Sequence, residues 1–363
     1  MADQTAIPFL HMRGGTSKGP VFNKKDLPQD QGTLGKVLMA AVGSGHQLNI
    51  DGIGAGNSVT TKVPILSKSN DEWADVDYFF VQVQALDKLV DFTTTCGNML
   101  SAVGPAAIEM GFVRAKTDET IIKIRAVNTG GRFVSRVKTP NGILVYEGET
   151  SIDGVPGTAA PVELNFMDIT GSKTGKLLPT GNLRDLIDGI EVTCMDVTMP
   201  VVIGRATDFG ISGYEGREKL DLNKPLFARM ESIRLQAAKL MGLGDASGSV
   251  APKFALLAPP KHGGSLCVRY FMPWQTHPTV AVTSSQCLAA CARTMGSVAD
   301  GLVDQLNGNS SDVLLEHPSG FMNVRLDYQN NGVHSVVRSA QILRTARKLS
   351  SGLIYIPSSI WSA

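Results

Sequence analysis

The two halves of the sequence resemble each other, and this internal similarity restricts the fold more than any other feature. In each half a lysine opens an apolar strand-like run, in "TTKVPIL" (60–66) and in "APKFALL" (251–257). Farther along, each half places a small polar segment before an apolar helical pattern, at Cys96 and at Thr283. Both patterns end at Met-Gly, and a turn-rich segment follows, "VNTGGRF" or "EHPSGFM". Four correspondences in the same order indicate a duplicated unit.

Strand-like runs outnumber helical ones, which predicts an α+β fold with mixed sheets. The polar, glycine-containing segment "TGKLLPTGNLRD" (174–185) is the expected boundary. We assign residues 1–183, together with a final strand over 345–363, to the first domain and residues 184–344 to the second. The sequence predicts helices at Leu34–Val42, Asn98–Met110, Lys224–Met241 and Gln286–Met295, with a weaker candidate at Val298–Asn307.

Composition excludes several classes of protein. The chain has 363 residues and a formal net charge of +1, and it lacks the basic runs that nucleic-acid binding needs. It contains no apolar run near the ~20 residues of a membrane span, and its first residues do not resemble a signal peptide. The 5 cysteines are odd in number and widely scattered, which argues against a disulfide framework. We expect a cytoplasmic protein without nucleic-acid or membrane partners.

The starts of two predicted helices are candidate sites for an anion. A helix N-terminus presents unpaired backbone N–H groups and the positive end of the helix dipole. Such an end binds carboxylates and phosphates. The candidate contacts are Gly97 and Asn98 in the first half and Thr283, Ser284 and Ser285 in the second. If two similar domains face each other, both ends can converge on one small polycarboxylate.

Two glycine-rich segments fit the same interpretation. In "MRGGTSKG" (12–19), Arg13 can pair with a carboxylate through its planar guanidinium. The anion-binding loop would consist of Gly14, Gly15, Thr16 and Ser17. In "DGIGAGNSVTTK" (51–62), Asn57 and Ser58 lie just ahead of Lys62. Both segments are equally typical of tight turns, and neither has the spacing of a nucleotide-binding motif.

Lys62 and Cys96 are the candidate acid–base pair. A thiol at a helix N-terminus is stabilised as thiolate, and an amine in a desolvated cationic cleft can act as a general base. Alternatively, Cys96 is a buried core residue and Lys62 an exposed strand lysine. Lys253, His277 and Ser319 are further candidates for substrate binding, because they occupy the corresponding region of the second half. No spacing of cysteine and histidine predicts a metal site.

The segments "MRGGTSKG", "DGIGAGNSVTTK", "CGNMLSAVGPAAIEMG", "IDGVPGTAAPV" and "MGLGDASGSVAPK" resemble those of the methylaconitate isomerase and 4-oxalomesaconate tautomerase (PrpF-like) family. The similarity runs through nearly the whole chain. It implies a fold like that of diaminopimelate epimerase, with two pseudo-symmetric α+β domains, each a mixed sheet wrapped around a central helix. It also implies an isomerase without cofactor or metal that moves a proton along an unsaturated di- or tricarboxylate.

By this resemblance Lys62 is the proton-abstracting base, and Cys96 occupies the position of the first catalytic cysteine of the epimerases. The second catalytic cysteine is absent, since Thr283 and Ser284 lie in that region. This departure argues against a two-thiol racemase. The length of the chain and the segment "VGSGHQLNIDGIG" (42–54) favour a tautomerase acting on a substrate of the 4-oxalomesaconate type. 2-Methylaconitate, aconitate and methylitaconate stay open as substrates. An epimerase, a non-catalytic carboxylate-binding protein and a homodimer also stay open.

Overall fold

The computed structural model describes residues 3–303, 312–331 and 334–362. The chain divides into two units: unit 1 is Met1–Phe166 with Leu343–Ala363, and unit 2 is Met167–Ile342. Segment 167–183, which we assigned to the first domain, is therefore part of unit 2.

Unit 1 holds two helices and the first eight strands of the described chain. The helices are α1 (Gln31–Val42) and α2 (Gly97–Glu109). The strands are β1 (Gln4–Gly14), β2 (Ser17–Asn23), β3 (Lys62–Lys68), β4 (Val76–Val83), β5 (Val90–Asp91), β6 (Asp118–Ala126), β7 (Arg132–Thr139) and β8 (Pro161–Met167).

Unit 2 has a similar order of elements. Its helices are α3 (Arg217–Asp221), α4 (Lys224–Leu240) and α5 (Val282–Arg293). Its strands are β9 (Asp185–Ile187), β10 (Ile190–Val197), β11 (Met199–Arg205), β12 (Lys253–Ala258), β13 (Leu266–Met272), β14 (Gln275–Thr276), β15 (Asp312–His317), β16 (Gly320–Asn331) and β17 (His334–Pro357). The last part of β17 belongs to unit 1.

The strand pairing of the two units follows one pattern, which confirms the predicted duplication. In unit 1, β1–β2, β3–β4 and β6–β7 are antiparallel, while β2–β3 and β4–β6 are parallel. In unit 2, β10–β11, β12–β13 and β15–β16 are antiparallel, while β11–β12 and β13–β15 are parallel. The predicted α+β class with mixed sheets is likewise confirmed.

A central helix lies within the sheet of each unit. Helix α2 packs on β1, β2, β3 and β7, and residues 99–107 of it are all buried. Helix α5 packs on β10, β11, β15 and β16, and residues 284–291 of it are all buried. A helix that is buried on every side needs small and apolar residues all around. Both helices meet this need with alanines and other small residues.

A second helix covers the other face of each sheet. Leu38 and Ala41 of α1 share a core with Val63, Ile65 and Val81 of the strands. In unit 2, Met230 and Ile233 of α4 share a core with Phe254, Leu256 and Phe271. Strands β3 and β12 are thus buried on both faces, which explains their nearly continuous apolar sequences.

Three of the clear helix predictions agree with the structure within a few residues. The predicted helix Gln286–Met295 instead begins earlier, at Val282, so residues 283–285 lie inside its first turn. The weaker candidate Val298–Asn307 is wrong over 298–303, which form turns, and its remainder lies outside the described residues. In the described part of the chain, no helix is both long and apolar enough to cross a membrane.

Candidate active site

The β1–β2 turn of unit 1 lies against the start of α2. The Asn98 amide donates to Thr16 Oγ1 at 3.0 Å. A Cβ at Gly14 would come within 2.6 Å of the Asn98 carbonyl oxygen, and one at Gly15 would collide with the Asn98 side chain. Gly15 also has a φ of +51°. Glycine is therefore required here by close approach to the helix, and at Gly15 by backbone conformation as well.

Lys62 is the first residue of β3, and a single neighbouring side chain orients its amine. Its Nζ donates to Gln82 Oε1 at 2.6 Å and lies 5.4 Å from the centre of the Phe80 ring. Gln82 is the residue directly opposite Lys62 in the β3–β4 pair. Its own amide donates to the carbonyl oxygens of Ser58 and Val83. The amine belongs to a half-buried residue and is held by a neutral acceptor.

Cys96 is the N-cap residue of α2, as the sequence indicates. Its backbone is extended, and Met99 N donates to its Sγ at 3.5 Å. Cys96 is partly exposed, whereas Cys194, Cys267, Cys287 and Cys291 are buried. Burial raises the pKa values of those four thiols. The structure thus presents one accessible thiol at a helix N-terminus.

One face of β4 connects Cys96 with Lys62. The Tyr78 hydroxyl donates to the Cys96 carbonyl oxygen at 3.2 Å, and the Tyr78 and Phe80 rings are 6.2 Å apart. Tyr78, Phe80 and Gln82 are every second residue of β4, so their side chains point to the same face of the sheet. Lys62 contacts the last two of these residues and Cys96 the first. Burial, and then the nearby Cys96 thiol, hold the pKa of Tyr78 well above its usual value.

Arg13 holds the β1–β2 turn to β17. Its Nη1 donates to the carbonyl oxygen of Gly15 and to the carbonyl and hydroxyl oxygens of Thr345, at 3.0 to 3.1 Å. Arg13 also pairs directly across the strands with Arg347. Like charges in such positions repel each other. Burial, and then Arg347, lower the pKa of Arg13. This pair of guanidinium groups forms a local excess of positive charge.

The remaining candidates in unit 1 have backbone or supporting positions. Gly97 is buried and begins α2, and Ser17 is buried at the start of β2. Asn57 and Ser58 are exposed, and the Asn57 side chain accepts from Val59 N at 3.1 Å. The Ser58 carbonyl supports Gln82, so this loop acts on Lys62 through that glutamine.

In unit 2, the serines at the start of α5 are buried, and their hydroxyls form hydrogen bonds within the protein. Ser284 and Ser285 have no exposed surface. The Ser284 hydroxyl donates to the Tyr270 hydroxyl at 2.8 Å, and that of Ser285 donates to the Val282 carbonyl at 2.9 Å. Thr283 is partly exposed. Of these three hydroxyls, that of Thr283 is the one open to a ligand.

Lys253 begins β12, as Lys62 begins β3. Burial, followed by the charges of Arg234 and Lys173, lowers the pKa of Lys253 to about 8. Arg234 is 1% exposed and donates to the carbonyl oxygens of Ala246, Ser249, Ala251 and Pro252, while Glu231 binds it at two points. The loop that leads into Lys253 is therefore wrapped around one buried guanidinium.

His277 packs edge-on against Tyr270, and the ring centres are 5.6 Å apart. Its Nδ1 accepts from Thr279 N at 3.0 Å. Burial, which outweighs this hydrogen bond, lowers the pKa of His277 to about 4. Ser319 is exposed and donates through Oγ to the Pro278 carbonyl at 2.7 Å. The "EHPSG" turn thus lies beside the His277 loop.

The candidates form two sets, one in each unit. In unit 1 the turn 14–17, Asn98, Cys96 and Lys62 are connected through direct contacts and the face of β4. Sequence reasoning missed Gln82, Phe80 and Tyr78. Polar Gln82 within an apolar strand, opposite a lysine, is the signal that could have found the first of them.

The described residues offer no metal centre. In segments 3–303, 312–331 and 334–362, no group of three or more His, Cys, Asp or Glu side chains is arranged to hold a metal ion.

Comparison with known proteins identifies the kind of enzyme. A (4E)-oxalomesaconate Delta-isomerase of Novosphingobium sp. strain KA1 is 44% identical over 351 residues, which cover 97% of this chain and 98% of the relative. A 4-oxalomesaconate tautomerase of Pseudomonas putida KT2440 is 43% identical over 358 residues, which cover 99% and 98%. The crystal structure of a methylitaconate-delta-isomerase matches with a TM-score of 0.87 at 31% identity, over 100% of this chain and 98% of the other. The protein is an isomerase.

The family follows from a match over almost the whole chain. The model of the PrpF protein family matches residues 4–357. The chain belongs to the PrpF family, which confirms the resemblance seen in the sequence.

Proposed function

We propose that the protein shifts a carbon–carbon double bond in an unsaturated tricarboxylate of the 4-oxalomesaconate type by moving one proton between two carbons. The observation that carries this proposal is the Lys62 amine, held by Gln82 at 2.6 Å next to the Phe80 ring. The names of two relatives that are more than 40% identical support this substrate class.

Binding of the substrate uses the positive charge of unit 1. The repelling pair of Arg13 and Arg347 would gain from a carboxylate, and the N-terminus of α2 offers backbone N–H groups. A dianion or trianion is favoured over a neutral acid for this reason. The glycines of the β1–β2 turn let this turn approach the start of α2 closely.

The chemical step is a proton transfer. Neutral Lys62 removes a proton from the carbon next to the alkene, and the electron pair of that C–H bond becomes the new double bond. The electrons of the old double bond move onto the conjugated carboxylate or keto oxygen, where N–H donors stabilise the charge. In one route the Lys62 ammonium delivers this proton to the far carbon. In the other route the Cys96 thiol delivers its own proton there, and the Lys62 ammonium then returns a proton to the Cys96 thiolate. In both routes the electrons of the oxyanion re-form the C=O bond. The atoms balance without a cofactor or metal.

The substrate is tested with a panel of acids. The full-length protein is incubated in the presence of a chelator with 4-oxalomesaconate, 2-methylaconitate, aconitate and methylitaconate, and the conjugated ultraviolet absorbance is followed. We expect the fastest change with 4-oxalomesaconate, and incorporation of solvent deuterium at one carbon. Preference for another acid of the panel would overturn the substrate assignment. Inversion of a stereocentre without a double-bond shift would indicate an epimerase.

The base is tested with matched lysine variants. Lys62→Met should lower turnover by at least ~10²-fold, because a general base typically contributes that much. Lys68→Met, at the exposed end of the same strand, is the control and should leave turnover unchanged. Circular dichroism and thermal melts establish that both variants fold. Near-normal turnover in folded Lys62→Met would show that another group takes the proton.

A further inference from the structure

A cavity of about 330 Å³ opens on unit 2 and is not part of the candidate site. The residues that decide its chemistry are Tyr214, Lys261, His262, Arg269, Glu316 and His317. It lies among the 212–216 loop, the β12–β13 turn and the β15–β16 hairpin. A volume of this size accommodates a small organic acid or a phosphate compound.

Arg269, which lines the cavity, and Tyr270, which contacts His277, lie on opposite faces of β13. Successive residues of β13 point to opposite faces. Tyr270 points to α5, since it contacts Ser284 and His277. Cys267 and Phe271 point to the core that α4 covers. Arg269 is two residues from each of them, so it shares the α4 face, where the cavity is.

Arg269 is a buried cation whose partners are all uncharged. It is 6% exposed. Its Nε donates to the Glu215 carbonyl at 2.8 Å, and its Nη1 donates to the Val268 carbonyl at 3.0 Å and to Cys267 Sγ at 3.5 Å. Among the described residues of unit 2, the ion pairs do not include Arg269. A buried charge without a counter-ion is costly.

The one carboxylate of the lining has its oxygens occupied by backbone N–H donors. Glu316 is 3% exposed and accepts from Lys261 N, His262 N and Gly264 N at 2.6 to 2.9 Å. Burial would raise the pKa of Glu316, but these three donors together outweigh it and keep the pKa below its usual value. Its acceptor sites are directed to the 261–264 turn, and no ion pair joins it to Arg269 within the described chain.

A second cation borders the cavity near the surface. Lys261 Nζ lies 3.5 Å from the centre of the Tyr214 ring, and the Tyr214 hydroxyl donates to the Pro259 carbonyl at 2.9 Å. The ring therefore holds the ammonium at the rim. The Lys261 ammonium at the rim thus has the same sign of charge as the buried Arg269 guanidinium.

We propose that this cavity of unit 2 binds a small anion, a carboxylate or a phosphate, with Arg269 at its base and Lys261 at its rim. The anion supplies a counter-charge to Arg269, which forms no ion pair within the described residues of unit 2. This site is independent of the proton shift proposed for unit 1.

The test is isothermal titration of the full-length protein in a buffer without phosphate or carboxylate. Inorganic phosphate is titrated in one arm and succinate in the other, with ionic strength matched by potassium chloride. Removing a charged donor costs about 1.5 kcal/mol or more, which corresponds to about tenfold in affinity. Arg269→Met should therefore weaken binding of the preferred anion at least ~10-fold. Arg269→Lys, which keeps the charge, should lose less.

Exposed Lys261 supplies a variant that does not endanger folding. Lys261→Met should weaken the same binding measurably, whereas Lys219→Met, an exposed lysine on α3 outside the cavity, should not. If phosphate binding weakens in Lys261→Met, the ligand is a phosphate; if succinate binding weakens, the ligand is a carboxylate. If neither anion binds, or if binding is unchanged in both Lys261→Met and Arg269→Met, the proposal is wrong. The titration measures anion affinity and not turnover, so its result does not depend on whether the proposed function is correct.

Discussion

Lys62 Nζ and Gln82 Oε1 are 2.6 Å apart, and the two residues are direct partners across β3 and β4. The glutamine fixes the amine without placing a negative charge beside it. A carboxylate at the position of this neutral partner would instead favour the protonated amine. The identity of residue 82 should therefore control the pH range in which the enzyme works.

Gln82→Glu should shift the pH dependence of turnover to higher pH, by about one unit or more, because an adjacent carboxylate favours the protonated amine. The measurement is a pH–rate profile with the best acid of the panel. Gln31→Glu, an exposed position at the start of α1, adds the same charge and should leave the profile in place. An unshifted pH–rate profile in Gln82→Glu would show that Lys62 is not the group whose ionisation controls turnover.

Cys96 should be the first thiol to react in the native protein, since the other four cysteines are buried. Limited treatment with iodoacetamide should give one adduct, and turnover should fall in parallel as the added group fills the start of α2. Peptide mass spectrometry locates the adduct. Cys96→Ser should resist inactivation. Full turnover in protein alkylated at Cys96 would show that this thiol does not take part in the reaction.

Gly19→Ala should destabilise unit 1 and lower turnover together. A Cβ at Gly19 would collide with the carbonyl oxygen of Lys62, so β2 and β3 would have to separate. Overpacking of this kind costs about 1–3 kcal/mol of the free energy of unfolding. Denaturant unfolding measures the loss. Gly352→Ala is the matched control, because a Cβ at Gly352 in β17 would meet no atom within 4 Å. Equal stability of the two variants would contradict the packing argument.

Lys253→Met should stabilise the protein at pH 7. The pKa of Lys253 falls from 10.5 to about 8 on folding, so between these values the unfolded chain binds more protons and stability rises with pH. Below pH 8 the folded protein carries the full cost of the buried charge. The advantage of Lys253→Met over wild type should therefore shrink as the pH rises above 8.

Thermal melts at a series of pH values measure this difference. Lys219→Met is exposed and should show no such trend. A constant gap between Lys253→Met and wild type from pH 7 to pH 10 would mean that the buried amine does not titrate in this range.

Local sequence was enough to find features that local chemistry determines. The N-cap position of Cys96, the strand opened by Lys62 and the glycines of the β1–β2 turn were all readable from residues close together in the chain. The start of α5 was not, because its N-cap is Ala281, which has no capping side chain, while the serines that normally mark a helix start lie within the first turn.

Side-chain contacts that depend on strand register also could not be predicted from the sequence. Gln82 meets Lys62 only because β3 and β4 pair in one particular register. Arg13 contacts Thr345, which is 332 positions away in the chain. Within the described residues, Arg269 bonds only to uncharged acceptors because of the face of β13 that it occupies. Periodicity alone does not reveal which acceptors lie on that face.

The pairing of Gln4 with Pro357 in β1 and β17 has a consequence for biosynthesis. The ribosome makes most of unit 1 first, yet β17, the strand that borders β1, is synthesised only after β9–β16. The β1 edge that β17 covers therefore stays unpaired while most of unit 2 is being made. The sheet of unit 1 should thus be completed only after β17 has left the ribosome, although Lys62 and Cys96 are translated much earlier.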